Sequence, residues 1–171
     1  MSHTLDSFSA ECRRLLHADP GPAGREQVRQ LLESVLRDDA FVASYLGPLD
    51  APKTVLYEDP DTGFQILGHV HRSASEGAPH DHGPSWAIYG QARGETSMTE
   101  YKATGTAGGD GPTPVEVRER YVLKPGMARL YNERTVHSTR RDDETRLIRI
   151  TGTDVDKVKR GRYRKVEAAS A

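Results

Sequence analysis

Apolar positions along the chain change their period once, near residue 50. Before that point Leu5, Phe8, Cys12, Leu15 and Leu16 recur at spacings of three and four, the single stripe of an amphipathic helix. Asp19-Pro20-Gly21-Pro22 breaks it. A second stripe, Val28, Leu31, Leu32, Val35 and Leu36, runs opposite Arg25, Glu26, Arg29, Glu33 and Arg37 and predicts another helix. Residues 40–46 either continue this helix or pack beside it, and Gly47-Pro48 closes the helical region. From residue 51 onward Val, Ile, Tyr and Thr come in short runs separated by Gly, Pro and Asp. Strands are expected at 55–57, 64–71, 80–83, 85–91, 95–102, 115–123, 127–131, 135–139 and 145–151. Residues 59–63 read as a hairpin turn and 72–79 as a polar loop. The Gly- and Thr-rich stretch 103–114 reads as a long mobile connection. Short strands behind a small helical bundle, with no crossover helices, point to a double-sheet or barrel architecture. The expected organisation is a helical segment at 1–48, a β-barrel at 49–153 and a tail at 154–171. The basic run from Lys157 to Lys165 reads as solvated, with Val158, Tyr163 and Val166 available to lay part of the tail on the body.

Composition narrows the partners. The 171 residues carry 24 Lys and Arg against 25 Asp and Glu, a formal net charge of -1. That balance gives no general attraction to nucleic acid or to an anionic membrane. Cys12 is the only cysteine, which excludes an intrachain disulfide framework. No apolar run approaches the ~20 residues of a membrane span. The first residues lack a basic segment followed by an apolar one, so the expected location is cytoplasmic. The expected partners are small molecules, with exposed edge strands offering a route to a homodimer.

Five of the seven histidines fall in the strand region: His69 and His71, His80 and His82, and His137. Residues two apart on a strand point to one face, so an H-x-H pair aims two imidazoles at one point and a third from a distant strand completes a facial set. Such a set leaves coordination positions open for water or substrate. His80 and His82 are preferred because Pro79 and Gly83-Pro84 pin the chain on both sides, and because Trp86 and Tyr89 follow as pocket walls. His69 and His71 compete for the same role or line the same cavity. His3 and His17 read as surface residues.

The run Gly77-Ala78-Pro79-His80-Asp81-His82, with Gly94 twelve residues beyond His82, resembles the first motif of the cupins. His137 after the 132–134 turn is similar to their second motif, and Leu123-Lys124-Pro125-Gly126 to the strand-Pro-Gly signature between the two. The resemblance covers about residues 50–152 and is nearest the thiol dioxygenase branch, typified by cysteine dioxygenase. It implies a mainly β fold, a cupin double-stranded β-helix or jelly-roll barrel with an N-terminal helical segment. It implies Fe(II) held by His80, His82 and His137, with zinc or nickel possible in purified protein, and conversion of a small anionic thiol and dioxygen to a sulfinate. Most cupins add a glutamate near the place of Ala87, but no acid occurs from Gly83 to Gly94. Three neutral imidazoles leave a divalent ion its full charge and favour an anionic bidentate ligand. The chain also departs from that branch. At 147–151, where a Ser-x-His-x-Tyr array is usual, it reads Leu-Ile-Arg-Ile-Thr. Ala87 stands near the place of the crosslinking cysteine, and Lys53 is a poor positional match for the substrate-holding arginine.

Arg149 is the main candidate for gripping a substrate carboxylate, with Trp86 and Tyr89 as lining residues. If Leu147, Arg149 and Thr151 face the cavity, Arg149 enters it. If Ile148 and Ile150 face inward, Arg149 is solvated. The alternation slightly favours the second register. Arg72, Arg93, Arg129 and Arg134 are weaker candidates. A metal cupin of other chemistry (a diketone-type dioxygenase, an isomerase or a hydrolase) and a non-catalytic binding cupin are the alternatives.

Overall fold

The computed structural model describes residues 3–105 and 111–166; the middle of the expected mobile connection, 106–110, and the last residues of the tail lie outside them. Three helices lead: α1 (Leu5–Ala18), α2 (Pro22–Leu36) and α3 (Asp39–Tyr45). Thr4 and Ser7 form a reciprocal cap on α1, Pro22 opens α2 at a position where its missing N–H costs nothing, and the Asp38 carboxylate caps α3. The strands are β1 (Lys53–Glu58), β2 (Gln65–His71), β3 (Ser75–Glu76), β4 (Ala87–Arg93), β5 (Thr96–Ala103), β6 (Thr113–Leu123), β7 (Ala128–Tyr131), β8 (His137–Arg141), β9 (Thr145–Thr151) and β10 (Tyr163–Lys165).

They form two five-stranded sheets, ordered β1-β2-β9-β4-β7 and β10-β6-β5-β8-β3. Apart from β1 and β10 at the edges, the chain alternates between the sheets in the order that defines a jelly roll: β2, β9, β4 and β7 face β3, β8, β5 and β6. The protein is mainly β, with a helical segment ahead of the barrel.

Register decides which residues see the interior. Leu67 and Tyr89 flank Arg149, His69 pairs with Leu147, and His71 pairs with Thr145. Leu147 packs with Tyr89, Met98, Leu123 and Tyr131 in the barrel interior. Ile148 and Ile150 are fully buried on the opposite face, against Leu32, Val35, Leu36, Phe41 and Leu46 of the helices. The helices approach closely because the sheet offers glycine there. A Cβ on Gly68 would lie 2.3 Å from Leu49 Cδ1, and one on Gly90 would lie 2.5 Å from Leu32 Cδ2. Arg146 belongs to this outer face and donates to the carbonyls of Leu46, Gly47 and Leu49 at 2.6–3.0 Å, closing the end of α3.

Two expectations change here. The register that turned Arg149 to solvent is not the one adopted: the apolar outer face lies under the helices, so the polar partner of the alternation points into the barrel. Residues 80–83 form no strand, only a single bridge in which His80 and His137 exchange both backbone hydrogen bonds at 3.0 and 2.9 Å. The segment 154–166 lies partly against the body through its apolar residues, while Lys157, Lys159, Arg164 and Lys165 stay exposed. Val155 is buried, and β10 runs parallel to β6. Among the described residues no helix is long and apolar enough to cross a membrane.

Candidate metal centre

Alternation survives in the 80–82 turn without a ladder. Asp81 turns one way and the two histidines the other. Asp81 is fully buried and accepts from the N–H of Gly83 at 3.2 Å, the N–H of Gly161 at 3.1 Å and the Tyr163 hydroxyl at 2.7 Å. Gly83 takes φ +60, and a Cβ there would meet the Lys159 carbonyl at 2.5 Å. The chain after β9 is therefore a strap across the turn, and it fixes the direction of the imidazoles. We expect Tyr163→Phe to destabilise the fold by about 1.5–3 kcal/mol, the worth of a hydrogen bond to a charged partner. It should also weaken metal retention roughly tenfold or more, as lost orienting contacts do; urea unfolding and equilibrium metal titration measure the two effects.

His80, His82 and His137 each offer a ring nitrogen, and these nitrogens all lie within 4.8 Å of one another. Ring centroids are 4.6 Å apart for His80 and His137, 5.0 Å for His82 and His137, and 5.5 Å for His80 and His82. The bridge to β8 sets the first pair, and the turn brings in the third. Nδ1 of His80 lies 3.0 Å from the Ala78 carbonyl, and Nδ1 of His137 lies 3.2 Å from that of Thr135. A carbonyl only accepts, so each Nδ1 carries the proton and each Nε2 keeps its lone pair. The Nε2 of His137 is buried with no hydrogen-bond partner among the described residues. The Tyr89 hydroxyl lies 3.0 Å from His82 Nε2, and the Tyr131 ring stacks on His137 with centroids 4.2 Å apart. Burial is the main cause that lowers the pKa of all three imidazoles, His137 to about 3. They are held neutral, the form that ligates a cation. An orphaned lone pair, oriented tautomers and three convergent donors fit a divalent metal.

Beside this cluster lies a cavity of about 180 Å³ lined by His69, His71, His80, Tyr89, Thr139, Arg141, Leu147 and Arg149. Among the described residues its lining contains no acidic side chain. His69 and His71 stack with ring planes 5° apart, and burial lowers their pKa values to about 3 and 4. Of the sequence candidates, Arg149 and Tyr89 line the cavity with His69 and His71. Trp86 does not: it packs in the helix–sheet core, with the Arg25 guanidinium 5.5 Å from its ring. Arg129 is engaged by Glu100 and Glu119, and Arg72 by Asp50. Glu100, buried near His137, accepts from Tyr121 at 2.8 Å and from Arg129 at 3.1 Å. Arg141 was missed. Its signal was available, since His137, Thr139 and Arg141 alternate along one strand.

A second group, His17, Asp59 and Asp61, also converges. Here Arg13 already pairs with both carboxylates, and Asp59 accepts from Thr62 and Tyr57. It is an ion-pair network tying α1 to the β1–β2 hairpin.

No family model and no curated protein matches this sequence. Solved structures similar to it include a cupin superfamily protein from Desulfitobacterium hafniense, 13% identical over 64% of this chain and 88% of that one, with a TM-score of 0.48. KdgF from Halomonas sp. is 17% identical over 58% of this chain and 74% of that one, with a TM-score of 0.43. The cupin domain of Schizosaccharomyces pombe Cnp3 is 10% identical over 66% of this chain and 74% of that one, with a TM-score of 0.48. The fold is of the cupin type. That assignment stands on the strand order above, since likeness at this level carries nothing about ligand or reaction. What the molecule holds is a cupin-type jelly roll with a buried histidine cluster compatible with a divalent metal.

The five neutral imidazoles give a pH dependence with a definite sign. Their folded pKa values lie below the unfolded value of about 6.5. The unfolded chain therefore binds more protons between those limits. Stability is fully present above pH ~6.5 and is lost as pH falls toward 4 and 3. Metal-free protein is expected to lose at least about 2 kcal/mol of unfolding free energy between pH 7.5 and 5.0. Urea titrations at the two pH values check this, and a flat profile contradicts it.

Proposed function

We propose that the chain is a metal-dependent cupin enzyme acting on a small anionic metabolite, and that its specific chemistry is the iron-dependent dioxygenation of a thiol carboxylate to a sulfinate. The observation that carries the reading is the pairing of three neutral imidazoles with an adjoining cavity that contains arginine and no acid. His80, His82 and His137 would hold the ion. No carboxylate joins them, so the charge of the ion is left for an anionic substrate to neutralise. Bound iron supplies the redox chemistry, in which a thiolate and dioxygen give a sulfinate carrying both oxygen atoms.

The protein's own groups orient and exclude. Arg149, level with Tyr89 on the inner face of the sheet, takes the substrate carboxylate through its guanidinium. The Tyr89 hydroxyl, 3.0 Å from His82 Nε2, would be free to donate to substrate if that nitrogen held the ion. Leu147 and the Tyr131 ring keep water from the reacting end.

A second reading, oxygen-dependent cleavage of a chelating enolate such as a diketone, is favoured by Leu147–Thr151 standing where thiol dioxygenases usually carry their Ser-His-Tyr array. Oxygen uptake by protein of known iron content, run against mercapto-acids and diketones, separates the two. Uptake that depends on a mercapto-acid supports the thiol reading. No uptake with any thiol removes it, and uptake with a diketone alone establishes the second. Zinc or nickel as the only bound metal would also count against thiol oxygenation.

A further inference from the structure

We infer that the substrate carries two separate anionic groups, one held by Arg149 beside the three histidines and the other by Arg141 at the opposite end of the cavity. The inference rests on reading this cavity as the substrate site, and it adds the class of substrate. Arg149 comes from β9 and Arg141 from β8, so one guanidinium enters from each sheet. Both line the same cavity, and each has a buried Nε with no hydrogen-bond partner among the described residues. Arg141 is 8% exposed, and its one hydrogen bond among the described residues is to the Thr139 hydroxyl at 3.1 Å. Neither arginine forms an ion pair among the described residues. Asp156, the carboxylate that feels the charge of Arg149, is already paired with Lys53.

Strand register places the two apart. Arg149 is level with Tyr89, whose hydroxyl touches His82. Arg141 lies four residues beyond His137 on the same strand face, roughly 13 Å along β8 at ~3.3 Å per residue. That places it toward the His71 and Thr145 end. Arg149 acts on the three clustered histidines as well as on His69 and His71, whereas Arg141 acts on His69 and His71 and feels Tyr89. A monoanion would neutralise one guanidinium and leave the other buried and unpaired, a costly state. A dicarboxylate neutralises both. The volume is below the ~300 Å³ at which drug-sized pockets begin, which suits a compound of about four carbons.

The test is calorimetric titration of metal-loaded protein with succinate and with butyrate, which match in length and differ by one charge. Succinate is expected to bind at least about tenfold more tightly. Arg141→Gln should bring the ratio close to one while leaving butyrate nearly unchanged, and Arg149→Gln should weaken both ligands. If Arg141→Gln fails to fold by circular dichroism, Arg141→Lys is measured instead and should keep part of the preference, because it keeps the charge and loses the fork. Equal binding of the two acids by the wild type, or an unchanged ratio in the Arg141 variant, overturns the inference; both arginines would then serve one carboxylate. Oxygen uptake with mercaptosuccinate and 3-mercaptopropionate is run alongside. A succinate preference without uptake from either thiol supports the two-anion site and rejects thiol oxygenation.

Discussion

Replacing His137 by alanine is expected to abolish metal retention and, with it, all metal-dependent activity. The residue is fully buried, its Nε2 has no partner among the described residues, and its backbone makes both hydrogen bonds of the bridge that positions His80. Alanine keeps that backbone bridge, so the loss is confined to the ligand. Two imidazoles remain, and a site that loses one of three protein ligands falls in affinity by orders of magnitude. The fold should survive. The variant loses the packing of Tyr131 on the ring, but it also loses an unsatisfied buried nitrogen. Metal content after dialysis and a thermal melt check both halves. His69→Ala is the control. His69 lines the cavity and lies outside the convergent cluster, so metal content should stay near the wild-type value. If His69→Ala loses the metal and His137→Ala keeps it, the ligand assignment is wrong.

Arg149→Gln is expected to move activity and stability in opposite directions. In the free protein this guanidinium sits between Leu67 and Tyr89 with a buried, unpartnered Nε. Removing a half-buried charge that has no ion-pair partner among the described residues relieves the fold, and the metal-free melting temperature should rise. Removing the partner of a substrate carboxylate costs about 2–5 kcal/mol of binding, a loss of roughly thirtyfold to several thousandfold in kcat/KM, expressed mainly in KM. A purely structural arginine would lower stability and activity together. Steady-state oxygen uptake and differential scanning calorimetry on the same preparation separate the two roles.

The parts legible in the sequence were those set by local chemistry. Helical stripes such as Val28, Leu32 and Val35 are spaced by one face of a helix, and that face is buried. The H-x-H run between Pro79 and Gly83 already carried its convergence, and a distant histidine in a β-prone segment completed it. What failed to show was set by what lies on the far side of a sheet. In Leu147-Ile148-Arg149-Ile150-Thr151 both faces are buried, one by helices and one by the barrel, so alternation alone could not say which was the interior. Trp86 went to the helical face for the same reason. Arg141 lies just past the expected strand end at residue 139, so only carrying the alternation of His137 and Thr139 two residues further turns it inward. Asp81 looked like a spacer between two histidines, yet it anchors a segment 80 residues away through Gly161. Such a contact leaves no periodic trace.

The central claim is that His80, His82 and His137 share one ion. X-ray absorption at the iron edge of iron-loaded protein tests it most directly. The account predicts scattering from three imidazole rings bound through nitrogen, with no sulfur ligand from the protein, since Cys12 is buried in the helical core. In His137→Ala loaded with excess iron, the three-ring signature should be gone. A wild-type spectrum with fewer than three imidazoles, or one unchanged by that substitution, would contradict it.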